Sequence, residues 1–114
     1  MLIKKMLLLV LILAGCYAGA ATLQELQKKA GAGDAEAQYN LGWCYAEGKK
    51  GTTKDLLKAA YWWTMAAEQG LAEAQYNLGV CYERGDGVAK DLTKARYWLI
   101  KSIEQGLADL MTSR

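Results

Sequence analysis

Eight consecutive residues, AEAQYNLG, occupy positions 35–42 and recur without a change at 72–79. The identity spreads outward. Residues 35–48 and 72–85 agree at eleven of fourteen positions, and 54–70 and 90–106 at ten of seventeen. The offset is 37 residues in the first half and 36 in the second, because GKKGTTKD carries one residue more than GDGVAKD. A residue gained inside a turn while both flanking elements stay in phase is the mark of a stacked helical array. The expected order is an incoming partial helix at 22–33, complete units at 34–69 and 70–105, and a truncated closing helix at 106–114.

Each unit divides into two helices. In the first, Ala37, Leu41, Cys44 and Tyr45 fall at i, i+4, i+7 and i+8 and share one face, as do Ala74, Leu78, Cys81 and Tyr82 one repeat later. The second helix starts after Asp55 or Asp91, whose carboxylate can accept an unpaired N-terminal N–H. Its stripe is small–large–small: Ala59, Trp62 and Ala66, with Ala95, Trp98 and Ser102 as counterparts. A neighbouring helix can approach at the small residues while the indole fills the space between them. These positions are the expected core. Gly48 and Gly85 are expected exits from the first helices, and Gly70 and Gly106 the turns that follow the second. About a hundred residues bury only a modest single core. Stacking relieves that limit, since each unit borrows its neighbour's surface.

The N-terminus is a different physical object. Lys4 and Lys5 precede an apolar run from Met6 to Ala14, and then come Gly15 and Cys16. Residues 1–15 read as an export signal, too short for a convincing membrane span. Small residues before a cysteine resemble the bacterial lipoprotein processing box, in which Cys16 is lipidated and becomes the mature N-terminus. Ordinary secretion, with cleavage after Ala20, is the alternative. The folded part is therefore expected outside the cytoplasm, as a periplasm-facing outer-membrane lipoprotein or as a soluble periplasmic or secreted protein. Without Lys4 and Lys5 the 14 basic and 12 acidic side chains become 12 of each. A balanced chain with no basic block offers no footprint for nucleic acid.

The run AEAQYNLGVCYERGDGVAKDLTKARYWLIKSIEQG resembles a Sel1-like repeat, a relative of the tetratricopeptide repeat. The resemblance rests on Ala37 and Ala74, the Leu41–Gly42 and Leu78–Gly79 pairs, Tyr45 and Tyr82, the Gly85–Asp86–Gly87–Val88 turn, Trp62 and Trp98, and the closing Glu–Gln–Gly. It implies an all-α, right-handed α/α solenoid that works as a protein-binding adaptor. It also brings in two narrower readings. One is an immunity protein that covers an exported toxin; the other is a β-lactamase-like or penicillin-binding envelope hydrolase, found among cysteine-rich relatives whose paired-cysteine pattern this chain lacks.

Residues for chemistry are scarce. The chain has no histidine, which excludes histidine-dependent triads and histidine metal ligation. Cys44 and Cys81 sit at equivalent points of successive first helices, so helix spacing of about 8–10 Å separates them by more than the roughly 5.5 Å a disulfide prefers. They are expected to be buried and reduced. The periodic carboxylates read as caps and solvated faces, so no catalytic residue, metal or cofactor is expected. Recognition is better sought where the units differ. Trp43 stands where the second unit has Val80, Trp63 where it has Leu99, and Met65 where it has Lys101. Trp43 and Trp63 serve either local packing or a protein partner, and Gln38, Gln75, Tyr39 and Tyr76 are candidates for an inner binding surface. Leu107, Leu110 and Met111 offer an edge for self-association.

Overall fold

The computed structural model describes residues 21–112. The expected signal at 1–15, the lipid acceptor Cys16 and the last two residues lie outside them. The described chain is all-helical: α1 (Leu23–Gly31), α2 (Ala35–Glu47), α3 (Leu56–Glu68), α4 (Ala72–Arg84) and α5 (Leu92–Thr112). Each helix packs on its neighbours in sequence. None is long and apolar enough to cross a membrane.

Local chemistry sets the helix ends. The Asp34 carboxylate accepts from the Ala37 N–H, Asp55 from Lys58 and Asp91 from Lys94, each at 3.1 Å. Such caps are worth about 1 kcal/mol apiece. At the other end Gly48 and Gly85 adopt φ of 68° and 77°, where a side chain would be strained. The chain then returns along the same path in both units: the Asp55 N–H donates to the Tyr45 carbonyl at 2.8 Å, and Asp91 to Tyr82 at 2.9 Å. The extra residue of the first turn is absorbed by two successive left-handed residues, Lys50 at φ 55° and Gly51 at φ 83°.

Three apolar clusters run along the stack. Leu26, Ala30, Ala37, Leu41 and Cys44 join α1 to α2. Ala66, Ala67, Ala74 and Leu78 join α3 to α4. Between them Ala59, Trp63 and Cys81 form a third. Tyr45 and Tyr82 are half-buried at the margins, each with a lysine ammonium over its ring: Lys58 at 5.3 Å and Lys94 at 5.4 Å. Cys44 and Cys81 are buried free thiols.

Three expectations need correction. Trp62 and Trp98 are half-buried, packing against the margins of the first two clusters, whereas Trp63 is only 5% exposed. The reason is that α3 has neighbours on both sides, so its second indole is the wedge between units. Gln38 and Gln75 line no surface, being completely buried. Their Nε2 groups donate to the carbonyls of Ala30 and Ala67 on the preceding helix, at 3.0 and 3.1 Å. Finally, Gly106 does not turn the chain, and residues 106–112 continue α5. A docked first helix would place Leu110 and Met111 where α4 has Ala74 and Gln75, against Ile103 where α3 has Ala67. Bulk replaces small residues at the contact and the amide latch is missing, so the segment keeps its helical hydrogen bonds instead.

The continuous α5 leaves the two glutamines unequal. Gln69 Nε2 donates to Gln38 Oε1 at 2.8 Å. Its counterpart Gln105 donates to Asp109 at 3.1 Å, and Gln75 Oε1 is buried with no partner. Breaking a satisfied buried hydrogen bond costs more than removing an atom that already lacks one. Gln38→Leu should therefore destabilise more than Gln75→Leu, by about 1 kcal/mol, as read from denaturant midpoints. Equal losses at the two sites would contradict this.

A candidate protein-recognition cleft

A cleft of about 320 Å³ opens across α2, α3, α4 and the turn after α4. Its walls are Trp43, Leu56, Trp63, Tyr76, Asn77, Val80, Arg84 and Asp86. Trp43 is the half-open wall, 38% exposed, and it meets Trp63 edge-to-face with ring centroids 5.2 Å apart. Trp63 is held from behind, because its Nε1 donates to the Tyr39 carbonyl at 3.1 Å and its ring lies against Gly42. Only a residue without a side chain at Gly42 lets the indole come so close. Val80, which stands in the second unit where the first has Trp43, lines the same cleft with a smaller side chain.

Of the residues singled out in the sequence, Trp43, Trp63 and Tyr76 come together here. Tyr39 is half-buried and touches Trp43 edge-on at 6.4 Å; with Tyr76, Asn77, Glu73 and Ser102 it borders an adjoining cleft of about 440 Å³. Met65 is half-buried and lines neither cleft, and Gln38 and Gln75 are structural. Comparison of the units does not reveal Asn77 and Arg84. Asn77 belongs to the identical octet, so nothing distinguishes it, yet its Nδ2 is buried without an acceptor. Arg84 is visible only through helical spacing from Tyr76 and Val80 at i+8 and i+4.

The cleft is suited to recognition. An indole and a phenol supply rigid contact area, while the exposed Arg84 supplies donors. The nearest thiol is a poor nucleophile: burial pushes Cys81 up to about 11, with Asp86 adding to the rise and Arg84 opposing it. Cys44 is also raised, chiefly by burial. Among the described residues no group of three His, Cys, Asp or Glu side chains is placed to hold a metal ion.

Stacked helix pairs with a groove between units define a helical-repeat scaffold. The Sel1 repeat profile matches residues 35–71 and 72–107, and the chain belongs to the Sel1 repeat family. It is 41% identical over 66 residues to the secretory immunoglobulin A-binding protein EsiB of Escherichia coli O6:H1, a match covering 52% of this chain and 13% of that protein. A crystal structure of a Sel1 repeat protein from Oxalobacter formigenes superposes with a TM-score of 0.69 at 46% identity, over 71% of this chain and 23% of the other. A protective antigen present in uropathogenic Escherichia coli strains gives 0.70 at 43%, over 75% and 18%. The chain thus spans less than a quarter of the length of each of these relatives.

Proposed function

We propose that this chain is a non-catalytic protein-recognition module of the bacterial cell envelope, which grips a protein partner in the cleft between Trp43 and Tyr76. The observation that carries the reading is the convergence on one groove of Trp43, Tyr76 and Arg84, exposed side chains that, among the described residues, form no ion pair and are not members of the three clusters. A relative named for binding secretory immunoglobulin A supports contact with protein outside the cytoplasm. The reading includes export by residues 1–15, a lipid on Cys16 and a periplasm-facing place at the outer membrane. It also includes contact between copies through Leu107, Leu110 and Met111, exposed on α5.

Crosslinked affinity capture of the exported protein from its native envelope tests this, with mass spectrometry reading both the captured protein and the mass at Cys16. Trp43→Ala and Tyr76→Ala should each lower capture about tenfold or more, the loss expected of an interface anchor, with helical circular dichroism unchanged. Undiminished capture by both folded variants would remove the cleft from the account. Capture of nothing by the unaltered protein would remove recognition itself.

A further inference from the structure

The last helix carries an apolar stripe that the stack leaves exposed. Ile100, Ile103, Leu107 and Leu110 follow one another at intervals of three, four and three residues, the rhythm at which one helix packs along another. They are 50%, 63%, 56% and 70% exposed. The side of α5 that lies on α4 is a different one, where Ala95 is buried and Trp98 packs against the cluster of Ala74 and Leu78.

The equivalent stripe of α3 has small residues, Ala60, Thr64 and Ala67, and the Ala67 carbonyl takes the Gln75 amide of α4. On α5 the same register holds Arg96, Ile100 and Ile103. Branched side chains in place of small ones suit the stripe to another apolar helix face, not to the alanine and glutamine with which α4 meets α3. Charge is kept to its margins. Lys101 lies over the Tyr97 ring at 5.5 Å and Asp109 accepts from Gln105 at 3.1 Å, both on other faces of the helix. Arg96 marks the start of the stripe and the exposed Glu104 borders it.

The stripe is complementary to itself. Turned end for end about residue 105, it meets a copy with Ile100 opposite Leu110 and Ile103 opposite Leu107, so that every layer pairs an isoleucine with a leucine. Buried in both copies, side chains this exposed remove on the order of 1,000 Å² of surface, the lower bound for a specific interface. Direction follows from Arg96. Two copies running the same way would set Arg96 against Arg96 within the stripe, whereas reversed copies hold them about 27 Å apart along the helix. Glu104 then approaches its copy at the water-facing rim, where solvent and salt screen the repulsion.

We infer that α5 pairs antiparallel with α5 of a second copy along Ile100, Ile103, Leu107 and Leu110. The inference rests on the proposed contact between copies; it adds the two isoleucines and fixes the direction. The cleft between Trp43 and Tyr76 shares no residue with the stripe, so the pair presents two clefts.

Sedimentation of the purified exported protein should show a dimer, and Ile103→Glu/Leu107→Glu should be monomeric with its helical signal intact, since both positions are exposed. Direction is read with a short bismaleimide crosslinker on co-expressed, differently tagged copies, the unaltered protein giving the baseline. Ile100→Cys on one copy with Leu110→Cys on the other should give about fivefold more crosslinked dimer than either substitution alone, because like positions lie about 15 Å apart along the helix in reversed copies. A dimer crosslinked best by Ile100→Cys alone would overturn the antiparallel direction and leave contact between copies standing. A dimer that survives Ile103→Glu/Leu107→Glu would place the contact elsewhere and overturn the stripe. A strictly monomeric unaltered protein would overturn the contact between copies and this inference with it.

Discussion

Trp63→Ala is expected to destabilise the fold by about 3–5 kcal/mol, the usual cost of emptying a buried tryptophan site. A chain of this size has a total stability of roughly 5–15 kcal/mol, so the variant should lose a large share of its stability and unfold at a markedly lower denaturant concentration. The size of the effect follows from position. Trp63 touches Gly42 on α2, donates to Tyr39 and packs with Ala59 and Cys81, so its removal opens a void where the two units meet. Trp43→Ala, on a half-exposed ring, should cost less than 1.5 kcal/mol or about that. Denaturant unfolding of the pair separates the wedge from the half-exposed wall of the cleft. Equal losses would mean that the assignment of roles is wrong.

Gly42→Ala should also be damaging, for a single added methyl group. The added Cβ would stand 2.6 Å from Trp63 Cδ1 and 2.9 Å from Cε2, and the indole is a rigid ring already fixed by its N–H. Overpacking of this kind costs about 1–3 kcal/mol and at times more. The same substitution at Gly79 provides the control. There the neighbours are Leu99, whose Cδ2 and Cγ lie 2.8 Å from the Cβ position, and the Ala95 carbonyl oxygen at 3.2 Å; the half-buried Leu99 can rotate away, which leaves only the milder backbone contact. Gly42→Ala should therefore lower the melting temperature more than Gly79→Ala, and the reverse order would contradict the wedge.

The helix pairs, their caps at Asp55 and Asp91, and their glycine exits were legible in the sequence because each depends on residues close in the chain. The roles of the two adjacent tryptophans were not. Comparing units treats a shared position as core and an unshared one as surface, and that rule fails where the units have different neighbours. Register position 63 is covered by α4 on one side and α2 on the other, while its counterpart 99 lies on the last helix and is covered on one side only. Gln38 and Gln75 misled for a related reason. Their polarity suggests an inner surface, but their amides serve carbonyls of the preceding helix, a contact that appears only after stacking. The glycine inside the octet held the missing clue: Gly42 sits mid-helix with no turn to make, and the close approach of Trp63 explains it. The octet's exact neighbour, Trp43 against Val80, did mark the wall of the cleft.

Site-specific photo-crosslinking tests the central claim most directly. A photoreactive residue at Tyr76, in the cleft, and another at Tyr97, exposed on α5, are compared in the exported protein in its native envelope. The account predicts a discrete crosslinked protein from position 76, none from position 97, and loss of the first when Trp43→Ala is added. A partner joined from position 97 alone, or from position 76 regardless of Trp43, would contradict it.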